Sequence, residues 1–237
     1  TGRKVAQRAA ARLIGFSMEL GGKNPAIVLA NADVEKTAER LLASVIGNSG
    51  QLCVATERAY VPKSEITKYT EALTRKIESL KLGSSNVFDH DLGALVSAEQ
   101  TSRVNGFLSR AKDSGASVIG GEVENNLIRP SVLVDVSHDS EIASQEVFGP
   151  VLALIPYESI DDAVEMANDT EYGLAAFIQT GDAARFALVR NSEVSFAVVQ
   201  PPGQPLGILP EIARKKARRA VAAILRHVDN LVGQKIE

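Results

Sequence analysis

Short apolar runs alternate with segments of helical period along nearly the whole chain, and this alternation restricts the fold more than any other feature. Runs that are apolar throughout are typical of strands buried on both faces, whereas apolar residues repeated every three or four positions are typical of amphipathic helices. We predict strands at residues 16–20, 26–30, 58–62, 118–119, 129–134, 151–156, 175–179 and 195–199, and helices at residues 4–14, 34–46, 66–80, 97–111, 160–167 and 183–190. Strands that alternate with helices predict an α/β fold with a largely parallel sheet.

Signals at the ends of one helix place the single cysteine of the chain on a loop. Asp33 is the expected N-cap of the helix at residues 34–46, and Gly47 and Gly50 end it. Cys53 therefore follows a helix on a glycine-bearing loop, where a rigid scaffold commonly carries reactive groups. A second start signal, the capping-box pattern of residues 97–100, opens a later helix.

Cys53 and Glu19 are a candidate nucleophile and a candidate general base. An unperturbed thiol, with a pKa of about 8.5, is only a few per cent thiolate at neutral pH, so a reactive cysteine needs a nearby base or positive charge. Glu19 precedes Gly21 and Gly22, whose lack of a Cβ lets backbone approach a ligand closely. The structural alternatives are a buried small apolar thiol and a glutamate in a surface turn.

Composition excludes several classes of protein. The net charge of −3 gives no case for binding nucleic acid or a membrane surface, and one cysteine forbids an internal disulfide. No apolar run approaches the roughly 20 residues that span a bilayer, and no signal-peptide core follows the basic start, so we expect a cytoplasmic protein. His90, His138 and His227 are widely spaced and form no ligand pattern with Cys53, so we assign no metal.

Three short motifs together resemble the signatures of the aldehyde dehydrogenase superfamily. The acid motif is Glu-Leu-Gly-Gly-Lys at residues 19–23, and the nucleophile motif is Gly-Gln-Leu-Cys at residues 50–53, followed by Arg58. The cofactor motif is Glu-Val-Phe-Gly-Pro at residues 146–150. The three occur in the family's order, and the resemblance covers residues 1–199. Residues 13–15 and 17–19 lean towards the succinate-semialdehyde dehydrogenase branch.

The resemblance implies a covalent oxidation of an aldehyde with NAD or NADP as cofactor. Cys53 is then the nucleophile, its backbone N–H is a candidate oxyanion donor, and Glu19 is the general base that activates water. Glu146 accepts hydrogen bonds from the nicotinamide ribose, and Phe148 packs near the ribose or the ring; the structural alternatives are a surface carboxylate and core filling.

The resemblance also implies further cofactor contacts at Gly2, the last glycine of a family loop that opens a helix, and at Leu20. Lys23 and Asn24 are interpreted as structural, and residues 168–174 as a loop that leads into a strand. Intact family members are usually homo-oligomers.

Most of the family's first half is absent from the sequence, which also lacks an initiating Met. We therefore expect a domain truncated at its N-terminal side, with residues 1–24 as a remnant of the cofactor-binding domain and residues 25–199 as the thiol-bearing catalytic domain. Residues 200–237 depart from the family: a breaker-rich linker at 200–205 precedes a basic helix at 211–228, expected to be a solvated amphipathic helix, with a nucleic-acid or anionic-membrane patch as the alternative.

We expect the isolated chain to be inactive, because half of the cofactor pocket is missing. Two other functions remain open from the sequence. One is a cofactor-independent thiol esterase that uses Cys53 and Glu19. The other is a non-enzymatic module that pairs with a separate N-terminal half.

Overall fold

The structure is a computed structural model that describes residues 1–83, residues 89–181 and the backbone of residues 198–199. The α-helices are α1 Gly2–Ala10, α2 Val34–Ile46, α3 Ile66–Glu78, α4 Ala98–Asp113, α5 Glu141–Ser144 and α6 Ile160–Asn168. The strands are β1 Asn24–Val28, β2 Thr56–Pro62, β3 Ser117–Gly120, β4 Val123–Glu124, β5 Leu127–Ile128, β6 Ser131–Val134, β7 Val151–Tyr157, β8 Phe177–Gln179 and β9 Val198–Val199. The predicted helices at 183–190 and 211–228 and the linker at 200–205 lie outside the described residues.

Seven strands form one sheet in the order β3-β6-β7-β2-β1-β8-β9, and β4 and β5 form a separate antiparallel pair. Neighbouring strands of the large sheet are parallel except for β3 and β6, which are antiparallel. The prediction of an α/β fold with a largely parallel sheet is therefore confirmed.

Helices cover both faces of this sheet, which explains why its central strands are buried along their whole length. Every residue of β1 and β2 is buried. Ile27 belongs to a core cluster with residues of α4, α5 and α6, whereas its neighbours Ala26 and Val28 belong to a second cluster with residues of α2 and α3. Successive side chains of a strand point to opposite faces, so one strand supplies both cores. The domain has three layers, with the sheet in the middle.

Both predicted N-caps, Asp33 and Ser97, form, but the capping box expected at Ser97 does not. Asp33 caps α2 by accepting a hydrogen bond from the Lys36 N–H at 3.0 Å. Ser97 accepts from the Gln100 N–H at 3.2 Å, but the Gln100 side chain does not reach back to close a capping box. Its amide instead donates to the Phe148 carbonyl at 2.8 Å. Tertiary contact with the cofactor motif therefore displaces the local pairing.

The predicted strand at residues 16–20 is wrong. This segment is irregular, and all of its residues except Met18 are exposed. The parallel ladders that β1 makes with β2 and β8 begin at Asn24 and Ala26, so residues before Asn24 have no ladder to join. An apolar run without a neighbouring strand cannot satisfy its backbone groups as a strand. In the part of the chain that the structure describes, none of the helices has the length and apolarity that crossing a bilayer requires.

Candidate active site

Cys53 lies on the loop between the end of α2 and the start of β2, as the sequence predicted. Its free thiol belongs to a half-buried residue. The side-chain amide of Asn24 donates to the carbonyl oxygens of Cys53 and Ala55, both at 2.8 Å, and its oxygen accepts from the Ala175 N–H at 3.0 Å. The first residue of β1 thus fixes the backbone of the cysteine loop, consistent with the structural role expected for Asn24.

The loop reaches Cys53 through three successive residues with positive φ. Asn48, Ser49 and Gly50 have φ values of 49°, 57° and 73°. A Cβ on Gly50 would lie 2.1 Å from the carbonyl carbon of Gly149. Glycine is required here for both reasons, and the nucleophile motif consequently packs directly on the backbone of the cofactor motif.

We expect Gly50→Ala to lower the free energy of unfolding by about 2–5 kcal/mol, because it combines left-handed backbone strain with overlap against Gly149. The matched control is Gly115→Ala, since Gly115 has φ of 98° but no atom within 4 Å of an added Cβ. That control isolates the strain and should cost about 1–2 kcal/mol. Equal losses for the two variants in urea unfolding would show that the close approach at Gly50 is not needed.

Glu146 meets the glycines of the acid motif. Its Oε1 accepts a hydrogen bond from the Gly22 N–H at 2.9 Å. A Cβ on Gly21 would lie 2.3 Å from its Oε2, so the carboxyl group occupies space that only a glycine leaves open. Burial raises the pKa of the Glu146 carboxyl, although the Gly22 N–H opposes this shift. The acid and cofactor motifs, which are 124 residues apart, are therefore in direct contact.

Side chains also hold the backbone of the cofactor motif from two sides. The Glu57 carboxylate accepts from the N–H groups of Val147 and Phe148, each at 2.9 Å to its nearer oxygen. On the other side, Arg103 donates to the carbonyls of Glu146 and Val147, both at 2.6 Å. Phe148 itself has φ of 56°, an unusual backbone conformation for a bulky residue. Such a conformation persists only where its surroundings fix it.

Lys23 forms a buried ion pair with the same carboxylate. Its Nζ lies 2.6 Å from Glu57 Oε2, and the two side chains are 1% and 4% exposed. Burial lowers the pKa of the Lys23 ammonium, and the adjacent Glu57 charge opposes this shift. All of these contacts are internal to the protein, as the structural interpretation of Lys23 expects.

Arg58 is fully buried and joins the acid motif to the end of α6. Its guanidinium donates twice to the Lys23 carbonyl, at 2.8 and 3.0 Å, and to the carbonyls of Ala167 and Met166 at 3.1 and 3.3 Å. It also donates to the Tyr60 hydroxyl at 2.9 Å. Burial lowers the pKa of Arg58, but a guanidinium starts so high that it stays charged. A cation near the last carbonyls of a helix is favourably placed.

The remaining site candidates lie at the exposed end of the acid motif. Glu19 is exposed and forms no hydrogen bond or ion pair with the residues that the structure describes, so no such bond joins its carboxylate to Cys53. Gly2 and Leu20 are brought together, because a Cβ on Gly2 would lie 2.9 Å from Leu20 Cδ1. The assignment of Glu19, Gly2 and Leu20 to catalysis or cofactor binding stays a prediction.

Sequence reasoning missed Glu57, Gln100 and Arg103 as residues that contact the cofactor motif. For Glu57 a signal was present, since adjacent charges at residues 57 and 58 interrupt an otherwise apolar strand, and buried charges are almost always paired. Gln100 and Arg103 are three positions apart and so share one face of α4, but that spacing is common on helices and does not indicate their partner.

Among the described residues, one group of possible metal ligands forms, and it does not include Cys53. Donor atoms of His138, Asp139 and Asp169 all lie within 4.8 Å of one another. His138 Nε2 is 3.1 Å from an Asp169 oxygen, and its Nδ1 is 3.3 Å from the Tyr60 hydroxyl. Both aspartates are exposed, and such groups are common without a metal. The assignment of no metal stays a prediction.

Comparison with known proteins gives consistent sequence matches. Residues 1–200 match the Aldehyde dehydrogenase family. The chain is 41% identical over 186 residues to a Mycobacterium ulcerans protein provisionally named succinate-semialdehyde dehydrogenase (NADP+) 2, a match that covers 76% of this chain and 36% of the relative. It is 38% identical over 192 residues to betaine aldehyde dehydrogenase of Agrobacterium fabrum, covering 78% of this chain and 39% of the relative. The chain thus spans well under half the length of these relatives.

Solved structures with this fold carry similar names. Betaine aldehyde dehydrogenase of Staphylococcus aureus, in complex with NAD+, matches 88% of this chain and 43% of that protein, with a TM-score of 0.81 and 28% identity. An NAD+ complex of aldehyde dehydrogenase from Bacillus cereus matches 87% of this chain and 44% of that protein, with a TM-score of 0.79 and 30% identity. From the match over residues 1–200 and the fold it shares with these enzymes, the chain belongs to the aldehyde dehydrogenase family.

Proposed function

We propose that this chain carries the thiol-bearing part of an NAD(P)-dependent aldehyde dehydrogenase that oxidises an aldehyde to a carboxylic acid. The observation that carries the proposal is the direct contact among the three motifs. The N–H of Gly22 in the acid motif donates a hydrogen bond to the carboxylate of Glu146 in the cofactor motif. Gly50 of the nucleophile motif packs on the backbone of Gly149. The provisional name of the Mycobacterium ulcerans relative favours succinate semialdehyde as the substrate and NADP as the cofactor.

Cys53 performs the covalent chemistry in this proposal. Its thiolate adds to the aldehyde carbon, forming a C–S bond and a thiohemiacetal oxyanion that the Cys53 backbone N–H stabilises as a donor. Collapse of the oxyanion to a C=O bond expels a hydride from that carbon, for which a bound cofactor would be the acceptor, and leaves a thioester on Cys53. Water then attacks the thioester and Glu19 accepts one water proton. The C–S bond breaks, which releases the carboxylic acid and regenerates the Cys53 thiolate.

The cofactor motif offers groups that suit a nicotinamide nucleotide. One oxygen of Glu146 bonds Gly22, and the other is bonded to none of the described residues, so it is available to a ribose hydroxyl. Phe148 supplies a half-buried aromatic surface beside it. Gly2 and Leu20 are the proposed additional contacts. When bound, the cofactor would supply the hydride acceptor.

An exposed apolar surface on residues 1–20 favours pairing with a further part of the family fold. α1 has no buried residue, and Leu13 is 96% exposed. The other large apolar side chains that are exposed in this segment are Val5, Ile14, Phe16 and Leu20. We propose that the coenzyme-binding part of an aldehyde dehydrogenase covers this surface, whether it belongs to the same polypeptide or to another chain. Apolar surface of this kind commonly marks an interaction site.

One experiment tests both proposals. The 237-residue chain alone should form negligible NAD(P)H from succinate semialdehyde, because the cofactor has only part of its site. Adding the portion of the Mycobacterium ulcerans relative that lies outside the aligned region should restore NAD(P)H absorbance and slow amide exchange in residues 1–20. Turnover by the chain alone at about 1 per second or faster would refute the need for pairing.

The same samples distinguish aldehyde oxidation from the alternative of a cofactor-independent thiol esterase. Continued hydrolysis of p-nitrophenyl acetate without cofactor, and no NAD(P)H under any condition, would favour a thiol esterase and overturn aldehyde oxidation. If the added portion leaves exchange in residues 1–20 unchanged, the pairing surface is wrong.

A further inference from the structure

We propose that Glu57 is a positioning residue for the cofactor motif. Its hydrogen bonds to the backbone hold Phe148 in its left-handed conformation, and this role is separate from its role as the counter-ion of Lys23. The inference rests on the proposed function, since it concerns the motif assigned to the cofactor. It also makes a claim about the backbone that can be tested without any turnover.

The carboxylate of Glu57 lies in a concavity formed by two successive backbone N–H groups, those of Val147 and Phe148. Glu57 Oε1 is 2.9 Å from the Phe148 N–H, and Oε2 is 2.9 Å from the Val147 N–H. Successive N–H groups converge in this way where the chain turns into a left-handed residue, and Phe148 has φ of 56°. Such concavities bind anions. The anion here is supplied by the protein's own strand β2.

Glu57 also ties the cofactor motif to the nucleophile. It lies four residues after Cys53 near the start of β2, a strand buried along its whole length. Its hydrogen bonds to the N–H groups of Val147 and Phe148 therefore tie the cofactor motif to the strand that directly follows the cysteine loop. A hydride transfer needs reacting atoms within a few ångströms of one another, so this placement affects rate as well as binding.

A purely structural alternative is that Glu57 only neutralises the buried ammonium of Lys23, 2.6 Å away. Loss of either partner of a buried pair is strongly destabilising, so single Glu57 variants cannot separate the two roles. Removing the charges of both residues separates the two roles. With Lys23→Met no ammonium needs neutralising, and with Glu57→Gln or Glu57→Leu no buried carboxylate is left without its counter-ion. A difference between these two double variants therefore reports on the Val147 and Phe148 amides.

The experiment compares Lys23→Met/Glu57→Gln with Lys23→Met/Glu57→Leu in the full chain. Amide exchange at Val147 and Phe148 is measured against amides of β7 as an internal reference. Glu57 Oε1 accepts from both N–H groups, at 3.1 and 2.9 Å, so a glutamine oxygen in its place can keep both hydrogen bonds. Leucine offers no acceptor, so both amides should exchange at least about tenfold faster in Lys23→Met/Glu57→Leu than in Lys23→Met/Glu57→Gln.

Equal exchange at both amides in the two double variants, relative to β7, would overturn the positioning role. A second measurement is the Kd for NADP+ with the coenzyme-binding portion added. The Kd should be at least about tenfold higher for Lys23→Met/Glu57→Leu than for Lys23→Met/Glu57→Gln. If the unsubstituted chain binds no NADP+ but the exchange pattern holds, the proposed function fails and the backbone role stands. If binding is normal in all variants, the inference fails and the proposed function survives.

Discussion

Replacing Cys53 by serine should abolish covalent turnover of activated esters, lowering the rate of acyl transfer to the chain by at least about a thousandfold. Cys53 is the single cysteine of the chain, so its thiol is the sole sulfur nucleophile available. A serine hydroxyl has almost the same size, but it is far less acidic and requires a base in contact with it. Among the described residues, the exposed Glu19 carboxylate forms no hydrogen bond to the Cys53 loop.

The measurement is the burst of p-nitrophenolate on mixing with p-nitrophenyl acetate, together with the mass increase of one acetyl group. Ser114→Ala is the matched control, since Ser114 is an exposed hydroxyl at the end of α4 and its loss should leave the burst unchanged. Acetylation of Cys53→Ser at the rate of the unsubstituted chain would eliminate Cys53 as the nucleophile, and with it the proposed oxidation.

Replacing Arg58 by alanine should lower the free energy of unfolding by about 3–5 kcal/mol. The substitution removes the guanidinium donors to the carbonyls of Lys23 and Ala167, and it leaves a cavity beside the Tyr60 hydroxyl. The Met166 carbonyl keeps a second donor, the Tyr60 hydroxyl at 2.9 Å. Each buried carbonyl that loses its donor costs about 1–3 kcal/mol, less whatever water in the cavity recovers.

Arg58→Lys should lose less of the free energy of unfolding than Arg58→Ala but should not keep all of it. An ammonium lacks the fixed fork of a guanidinium and cannot donate to all of the same carbonyls. Arg75→Ala is the matched surface control: the Arg75 guanidinium pairs with Glu35 at 2.7 Å, but both side chains are about 60% exposed, at 61% and 59%. That variant should cost less than about 1 kcal/mol. Urea unfolding of the three variants checks the order, and a loss at Arg58→Ala no greater than at Arg75→Ala would show that the buried bonds carry little stability.

Local signals in the sequence were sufficient for most of the fold. The cap at Asp33 and the glycines that follow α2 act within a few residues, so the end of that helix and the loop that carries Cys53 followed directly from them. Strands buried on both faces are largely apolar, and the continuous apolar runs within β1 and β7 made these two strands recognisable. The three motifs were recognisable for the same reason, since each is contiguous in the chain.

Contacts between distant residues were not predictable from such signals. The apolar run at residues 16–20 has the composition of a strand, but the ladders begin only at Asn24 and Ala26. Gln100 has the spacing of a capping box, but its side chain bonds the Phe148 carbonyl 48 residues away. The local preference fails at residues 16–20 because no neighbouring strand among the described residues is there to pair with. It fails at Gln100 because a distant carbonyl is a better partner than the helix start.

The sequence by itself determined the fold class, the loop position of Cys53 and the identity of the three motifs, because periodicity, helix caps and contiguous residue patterns are properties of neighbouring positions. Only the tertiary structure decided that Glu57 joins Lys23 to the cofactor motif and that Glu146 lies against Gly21 and Gly22. Those pairings depend on strand order and on the space that a missing Cβ leaves, and neither quantity exists until the sheet has formed.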